Sequence, residues 1–505
     1  MSAAVVARRA GRREWIGLIA IALPCLLYSM DLTVLNLAVP RLSEDLKPSS
    51  SQLLWIVDIY GFMIAGSLIT MGTLGDRIGR RRLLLIGAAA FGMASLLAAY
   101  STSAAMLIAS RAVLGIAGAT LAPSTLSLIR NMFLDPHERT VAIGVWVTSF
   151  SVGGGVGPLI GGILLQYFWW GSVFLIGVPV MLLLLVAGPV LLPEFKDPKA
   201  GRLDLFSAAQ SLVAVLLVIY GLKRIAQDGF GWGPALSIAG GVAVGVAFVR
   251  RQRTLAHPLI DLQLFRVPAF STALATYTIG TFVVFGAYIF IAQYLQLVLG
   301  LSPFQAGLAT VPSMAAFILG SIVVPVMARR VRPASLVVAG LVLSAVGLGL
   351  LTQVDGGSKL AGIITGSVVY SLGFSPVVIL ATDLIVGNAS VERAGAASAI
   401  SETSSELGGA LGIAVLGSVG VAVYRGLMAQ RVPLAVPAEA AAMAKATLGG
   451  AVAAATRLPG DLGVELLHTA REAFSQAFAL TAAIGAAIAL GMAVAAAMLL
   501  RRANN

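Results

Sequence analysis

Charge is what this sequence has least of. Asp, Glu, Lys and Arg supply only 11% of its 505 residues, less than half the ~25% usual in soluble domains. That shortage excludes an ordinary soluble fold. Cysteine is nearly absent: the single Cys25 rules out an intrachain disulfide and a cysteine metal site. The three histidines, His137, His257 and His468, fall between apolar runs, so no metal site is expected. A Gly-x-x-x-x-Gly-Lys-Ser/Thr loop is missing, which excludes a nucleotide-driven pump. A catalytic cluster of His, Asp and Ser is missing too, which counts against a membrane-embedded enzyme. No polar stripe repeats across helices, which counts against a channel.

What is abundant is apolar sequence, 58% of the chain. Fourteen runs are long enough to cross a bilayer core of ~30 Å as helices. They lie near 15–39, 52–73, 82–100, 104–129, 140–166, 169–192, 203–223, 233–250, 269–299, 304–328, 334–352, 359–386, 394–424 and 474–500. In lipid every backbone group must be satisfied internally, so the fold class is all-α polytopic membrane protein. The first run follows Arg8, Arg9, Arg12 and Arg13. It is too long for a signal-peptide core and is expected to be a retained helix.

The net charge of +12 is topogenic; no nucleic-acid partner is expected. Arginines gather at one side, at Arg77 to Arg82, Arg250 to Arg253 and Arg329 to Arg332. By the positive-inside rule both termini are cytoplasmic. The weakest placement is the long segment 425–472, expected outside and carrying helical stretches at 436–447 and 460–474. A polar linker, Pro193 to Pro198, separates six spans from a pair, and six more follow. This divides the chain into a six-helix bundle at 1–192, a linker with two additional helices at 193–258, and a second bundle at 259–505. Repeated halves are a transporter pattern, with the substrate site at midplane between them.

Several acids lie inside spans, where a charge is costly and usually functional. Asp31 sits well within the first run. Asp58, in the second, faces either the cavity or the outer interface. Glu402 and Glu406, in the thirteenth, are four apart and share one helix face. Two ionised carboxylates so placed repel, so one is expected to hold a proton until a cation arrives. Glu402 lies either there or near the cytoplasmic end. Asp383, at the end of the twelfth run, suits an interfacial gate. Arg111 reads as the only basic residue well inside a span, pairing with a carboxylate or a backbone carbonyl at the cytoplasmic side.

Gly72-Thr73-Leu74-Gly75-Asp76-Arg77-Ile78-Gly79-Arg80-Arg81-Arg82 falls between the second and third runs. A topogenic loop needs only its arginines. The added glycines and Asp76, able to pair with an arginine or cap a helix, suit a conformational latch. This stretch is similar to motif A of the major facilitator superfamily. Leu107 to Gly118, with Arg111, resembles its motif B. Gly153-Gly154-Gly155-Val156-Gly157-Pro158-Leu159-Ile160-Gly161-Gly162 resembles motif C, which marks the antiporter branch. Glycines there allow close packing, and Pro158 removes a helix hydrogen bond and makes a pivot. Asp31 to Pro40 resembles a motif of the fourteen-helix drug:proton antiporters, and with Ser401 to Gly408 it points to the QacA/LfrA/SmvA group. The resemblance runs over nearly the whole chain.

The resemblance implies the major facilitator fold and alternating access. It implies proton-coupled export of lipophilic cationic drugs, dyes and quaternary ammonium biocides across a bacterial inner membrane. The proton motive force would drive it with no cofactor, in a chain expected to be a monomer. Asp31, Asp58, Glu402 and Glu406 would bind proton or substrate. Gly72, Asp76, Arg77, Gly79, Arg80, Arg111, Gly157, Pro158, Gly161 and Asp383 would serve gating. An alternative within the same fold is a dedicated exporter of one metabolite or antibiotic. The group's further acid in the tenth helix is missing here, and Ser401 stands beside Glu402 where QacA has a second acid. Both departures imply a site with less negative charge.

Overall fold

The computed structural model describes residues 9–48, 50–196, 204–255, 258–354, 360–390 and 393–502. Among them there are helices and no strand, and fourteen helical spans are long and apolar enough to cross a membrane. The first half comprises α1 (Arg12–Leu46), α2 (Ser50–Ile78), α3 (Arg80–Ala99), α4 (Ala104–Gly118), α5 (Leu121–Met132), α6 (Pro136–Tyr167), α7 (Ser172–Leu175) and α8 (Gly177–Leu191). The fourth span is α4 and α5 together, and the sixth is α7 and α8. The central pair is α9 (Leu205–Asp228) and α10 (Trp232–Gln252). The second half comprises α11 (Pro268–Gln293), α12 (Pro303–Met327), α13 (Pro333–Leu351), α14 (Leu360–Gly387), α15 (Ala394–Arg431), α16 (Ala438–Ala446), α17 (Leu448–Ala455) and α18 (Gly460–Arg502).

Small residues decide which helices come closest. In α6, Gly153, Gly157 and Gly161 recur every fourth residue and so form one face. A Cβ at Gly153 would lie 2.1 Å from the Leu26 carbonyl oxygen, and one at Gly157 2.5 Å from Thr33 Oγ1. That face therefore seats directly on α1, the helix carrying Asp31. The halves meet where α2 and α5 touch α15, and where α6 touches α12 and α14. The pair α9 and α10 packs together, and α9 also lies against both α2 and α15.

The segment after the thirteenth span differs from the sequence expectation. Helix α15 continues to Arg431 and α18 begins at Gly460, so both outrun the expected ends at 424 and 474. The expected helical stretch at 436–447 is α16, while α17 was not foreseen. This Ala-rich segment is ordered because it buries Leu448, Ala451 and Ala454 with Leu466 and Ala470 of α18. Tyr424 Oη donates to the Ala444 carbonyl at 2.8 Å, and Arg471 Nε to the Leu297 carbonyl at 3.1 Å.

Candidate functional site

The stretch expected as a loop after the second span is mostly helical. Helix α2 runs through Asp76 and Arg77, and the chain turns only at Gly79, whose φ is +108°. A side chain there would be strained, and its Cβ would meet the Glu194 carboxylate at 2.6 Å. Glu194 lies where it caps α3: its Oε2 accepts from the Arg82 amide at 3.1 Å and its Oε1 from the Arg81 amide at 3.2 Å. Arg80 is fully buried, with its guanidinium 5.1 Å from the Phe195 ring centre.

Asp76 joins the two halves at this end. Its Oδ1 accepts from Arg80 Nε at 2.9 Å, Arg80 Nη2 at 2.7 Å and the Gly395 amide at 3.2 Å. Its Oδ2 accepts from the Ala396 amide at 3.0 Å. The carboxylate thus caps the N-terminus of α15, a helix of the other half, where unpaired amides and the helix dipole favour an anion. Gly72, one turn earlier, lets α15 approach, since its Cβ would lie 2.6 Å from the Gly395 carbonyl oxygen.

Two further ion pairs close the same end. Asp383 of α14 accepts from Arg139 Nε at 2.6 Å and Thr140 Oγ1 at 2.9 Å, both at the start of α6. Arg393, beside the N-terminus of α15, pairs with Asp261 at 2.7 Å. Asp135, just outside the membrane span, caps α6, and the amides of Glu138 and His137 hold its carboxyl below the usual range.

The acids of the middle lie apart from this latch. Asp31 of α1 faces Arg111 of α4 at 3.4 Å. Arg111 is 1% exposed and firmly held: Nε donates to the Ile56 carbonyl at 2.6 Å, and the Tyr60 and Phe174 ring centres lie at 5.3 and 5.8 Å. Ile56 is twenty residues from Asp76 along α2, roughly 30 Å. Arg111 therefore sits toward the end opposite the arginine-rich turn. It was expected on the same side as that turn; position within α4 alone did not reveal which end of α2 it meets.

Glu402 and Glu406 lie one turn apart on α15, both partly exposed, and Glu402 Oε1 has no hydrogen-bond partner among the described residues. Tyr28, which accepts at its carbonyl from Tyr60 Oη at 3.3 Å, lies within electrostatic reach of both glutamates. Tyr60 lies within reach of Asp31 and Glu406. Tyr28 and Tyr60 thus lie between the carboxylate of α1 and those of α15. Asp58 pairs with Lys223 Nζ of α9 at 2.5 Å. Lys223 is the last residue of the span expected at 203–223 and lies near the end of the observed one, Leu205–Ile225. Local spacing did not reveal its partner, because α2 is remote in the chain. Arg77 lies in the last turn of α2. The side chain of Pro158 lies outside the described residues, and α6 stays helical across that position.

Over residues 21–413 the sequence matches the model of the Major Facilitator Superfamily. The chain belongs to this superfamily. It is 43% identical to the multidrug efflux pump LfrA of Mycolicibacterium smegmatis, covering 95% of this chain and 94% of that one. It is 36% identical to the methyl viologen resistance protein SmvA of Salmonella typhimurium, covering 93% and 95%. The solved structure of the human organic anion transporter MFSD10 superposes with a TM-score of 0.60 at 16% identity, covering 94% of this chain and 99% of that one, a likeness of fold. A major facilitator chain is a membrane transporter and not an enzyme, and LfrA is a multidrug efflux pump. Motif A here is a helix end that caps a helix of the other half, and motif C is a glycine face seated on α1.

Proposed function

We propose that this transporter exports lipophilic cations, including quaternary ammonium biocides and cationic dyes, in exchange for protons across a bacterial inner membrane. The carrying observation is the electrostatic layout of the middle. The carboxylates of Asp31, Asp58, Glu402 and Glu406 lie within spans on α1, α2 and α15, and Arg111 pairs with Asp31 while Lys223 pairs with Asp58. A net negative, partly apolar chamber attracts an organic cation and a proton alike. SmvA confers resistance to methyl viologen, an organic dication, which supports a cationic substrate class.

Asp31 suits the exchange. Its bond to Arg111 is long at 3.4 Å, while Arg111 holds a shorter one to Ile56. A proton on Asp31 removes the α1 to α4 ion pair without setting Arg111 free. A cation near Asp31 favours the carboxylate. Proton and drug thereby compete for one charge. The latch at Asp76 and Asp383 forms in one access state and breaks in the other as the two halves rock. The chain acts as a monomer, with both termini in the cytoplasm.

Two measurements test this reading. Everted vesicles carrying the transporter should accumulate ethidium in their lumen in the presence of an interior-acid pH gradient, and an added cationic drug should dissipate that gradient. Export unaffected by collapsing the gradient, or confined to one uncharged compound, would sink the reading. Reporter fusions after Arg253 and Arg332 should read cytoplasmic, and one within α16 external.

A further inference from the structure

The export reading leaves one inner charge without a role, and the following inference rests on that reading. Lys223 reaches from α9 to Asp58 of α2, its ammonium 2.5 Å from the carboxylate and 4.6 Å from the Phe62 ring centre. A carboxylate beside an aromatic face is the arrangement an organic cation needs. Trp55 extends the aromatic surface, edge-on to Phe62 at 6.1 Å and 42% exposed. Phe62, Ala65 and Ile219 form a small apolar cluster beside it.

We propose that Lys223 is a resident cation filling a subsite built from Asp58 and Phe62, and that organic cations bind there by displacing it. Lys223 thereby sets affinity and selectivity. The contrast with Arg111 supports displacement. Arg111 is 1% exposed, bonded to a backbone carbonyl and flanked by two rings. Lys223 is 38% exposed, its ammonium is bonded to Asp58 alone among the described residues, and it stands on four flexible methylenes. The released ammonium is not stranded, because Glu406 of α15 lies within its electrostatic reach. A substrate gains what lysine cannot supply: a hydrophobic body to lay on the exposed Trp55 while its charge takes the ammonium's place between Asp58 and the Phe62 face. The resident ammonium so discriminates against small hydrophilic cations, which displace it without that gain. It also gives the central helix pair a part in substrate choice, since α9 contacts both α2 and α15.

The test is equilibrium ethidium binding to the full-length transporter in lipid nanodiscs, with no gradient present. Lys223→Gln removes the competitor and should tighten binding about fivefold, the scale of a partly exposed ion pair. Lys223→Arg should weaken it several-fold, because a planar guanidinium holds a carboxylate by two bonds. The double variant Asp58→Asn with Lys223→Gln should lose the gain. Elution profile and thermal midpoint report folding. If Lys223→Gln fails to fold, the arginine variant decides alone: equal or tighter binding overturns the proposal. With both folded, a glutamine variant that binds no tighter than wild type overturns it. Saturable wild-type binding with that result spares the export reading, whereas wild type that binds no ethidium overturns both.

Discussion

Replacing Asp76 by Asn tests the latch most directly. Asp76 Oδ1 takes three hydrogen bonds and Oδ2 one, from the Ala396 amide. An asparagine keeps its oxygen toward Arg80 and turns its amide toward the Ala396 N–H, donor against donor. One charge-assisted bond between the halves is lost, worth about 1.5–3 kcal/mol, and the bond to Gly395 loses its charge assistance. The Arg80 contacts lie within one half and so cancel between access states. A net loss of about 2 kcal/mol shifts the closed-to-open ratio about thirtyfold. The sole cysteine, Cys25, is buried and is replaced by Ser before labelling. Spin labels at the exposed positions His137 and Arg330 then report the separation of α6 from α12. The variant should show a larger share of long distances and slower export, with ethidium affinity nearly unchanged. Unaltered distance distributions and turnover would refute the latch.

Asp31→Asn should insert and fold, because Arg111 keeps Ile56 and both rings, but drug-dependent proton movement should disappear in vesicles; full export driven by a pH gradient would return Asp31 to a structural role. Gly153→Ala puts a Cβ 2.1 Å from the Leu26 carbonyl oxygen, so it should lower stability by about 1–3 kcal/mol and slow export, seen as an earlier thermal midpoint. Asp204, just outside the membrane and bonded to Arg251 at 2.8 Å, is held down to about 2 mainly by that bond. A depressed folded value adds stability above the unfolded value of ~3.9 that is lost as pH falls through about 2. The melting difference between wild type and Asp204→Asn should therefore be full above about pH 4 and vanish near pH 2, and a pH-independent difference would contradict it.

The spans were legible because lipid demands length and apolarity, both local properties. The latch was half legible: Asp76 was expected to pair with arginine or cap a helix, and it does both. Which helix it caps lay 319 residues away, beyond any local spacing. Asp58 illustrates the limit from the other side. Its cost within a span marked it as functional, yet its partner is 165 residues later, at the end of another span. The capping of α3 by Glu194 was hidden for the same reason, since its linker read only as a polar break.

Helix α18 spans 43 residues without interruption, about 65 Å of rigid rod, while a bilayer core takes ~30 Å. Its inner length packs with α11, α13 and α15, and its outer length carries α17. No hinge separates the two. Each degree by which this bundle leans moves the far tip by about half an ångström over a ~30 Å arm. The Ala-rich cap is thus a pointer fixed to the moving half. A single fluorophore on Leu434, fully solvent-facing beyond the rod, would make every access cycle visible without touching the chamber.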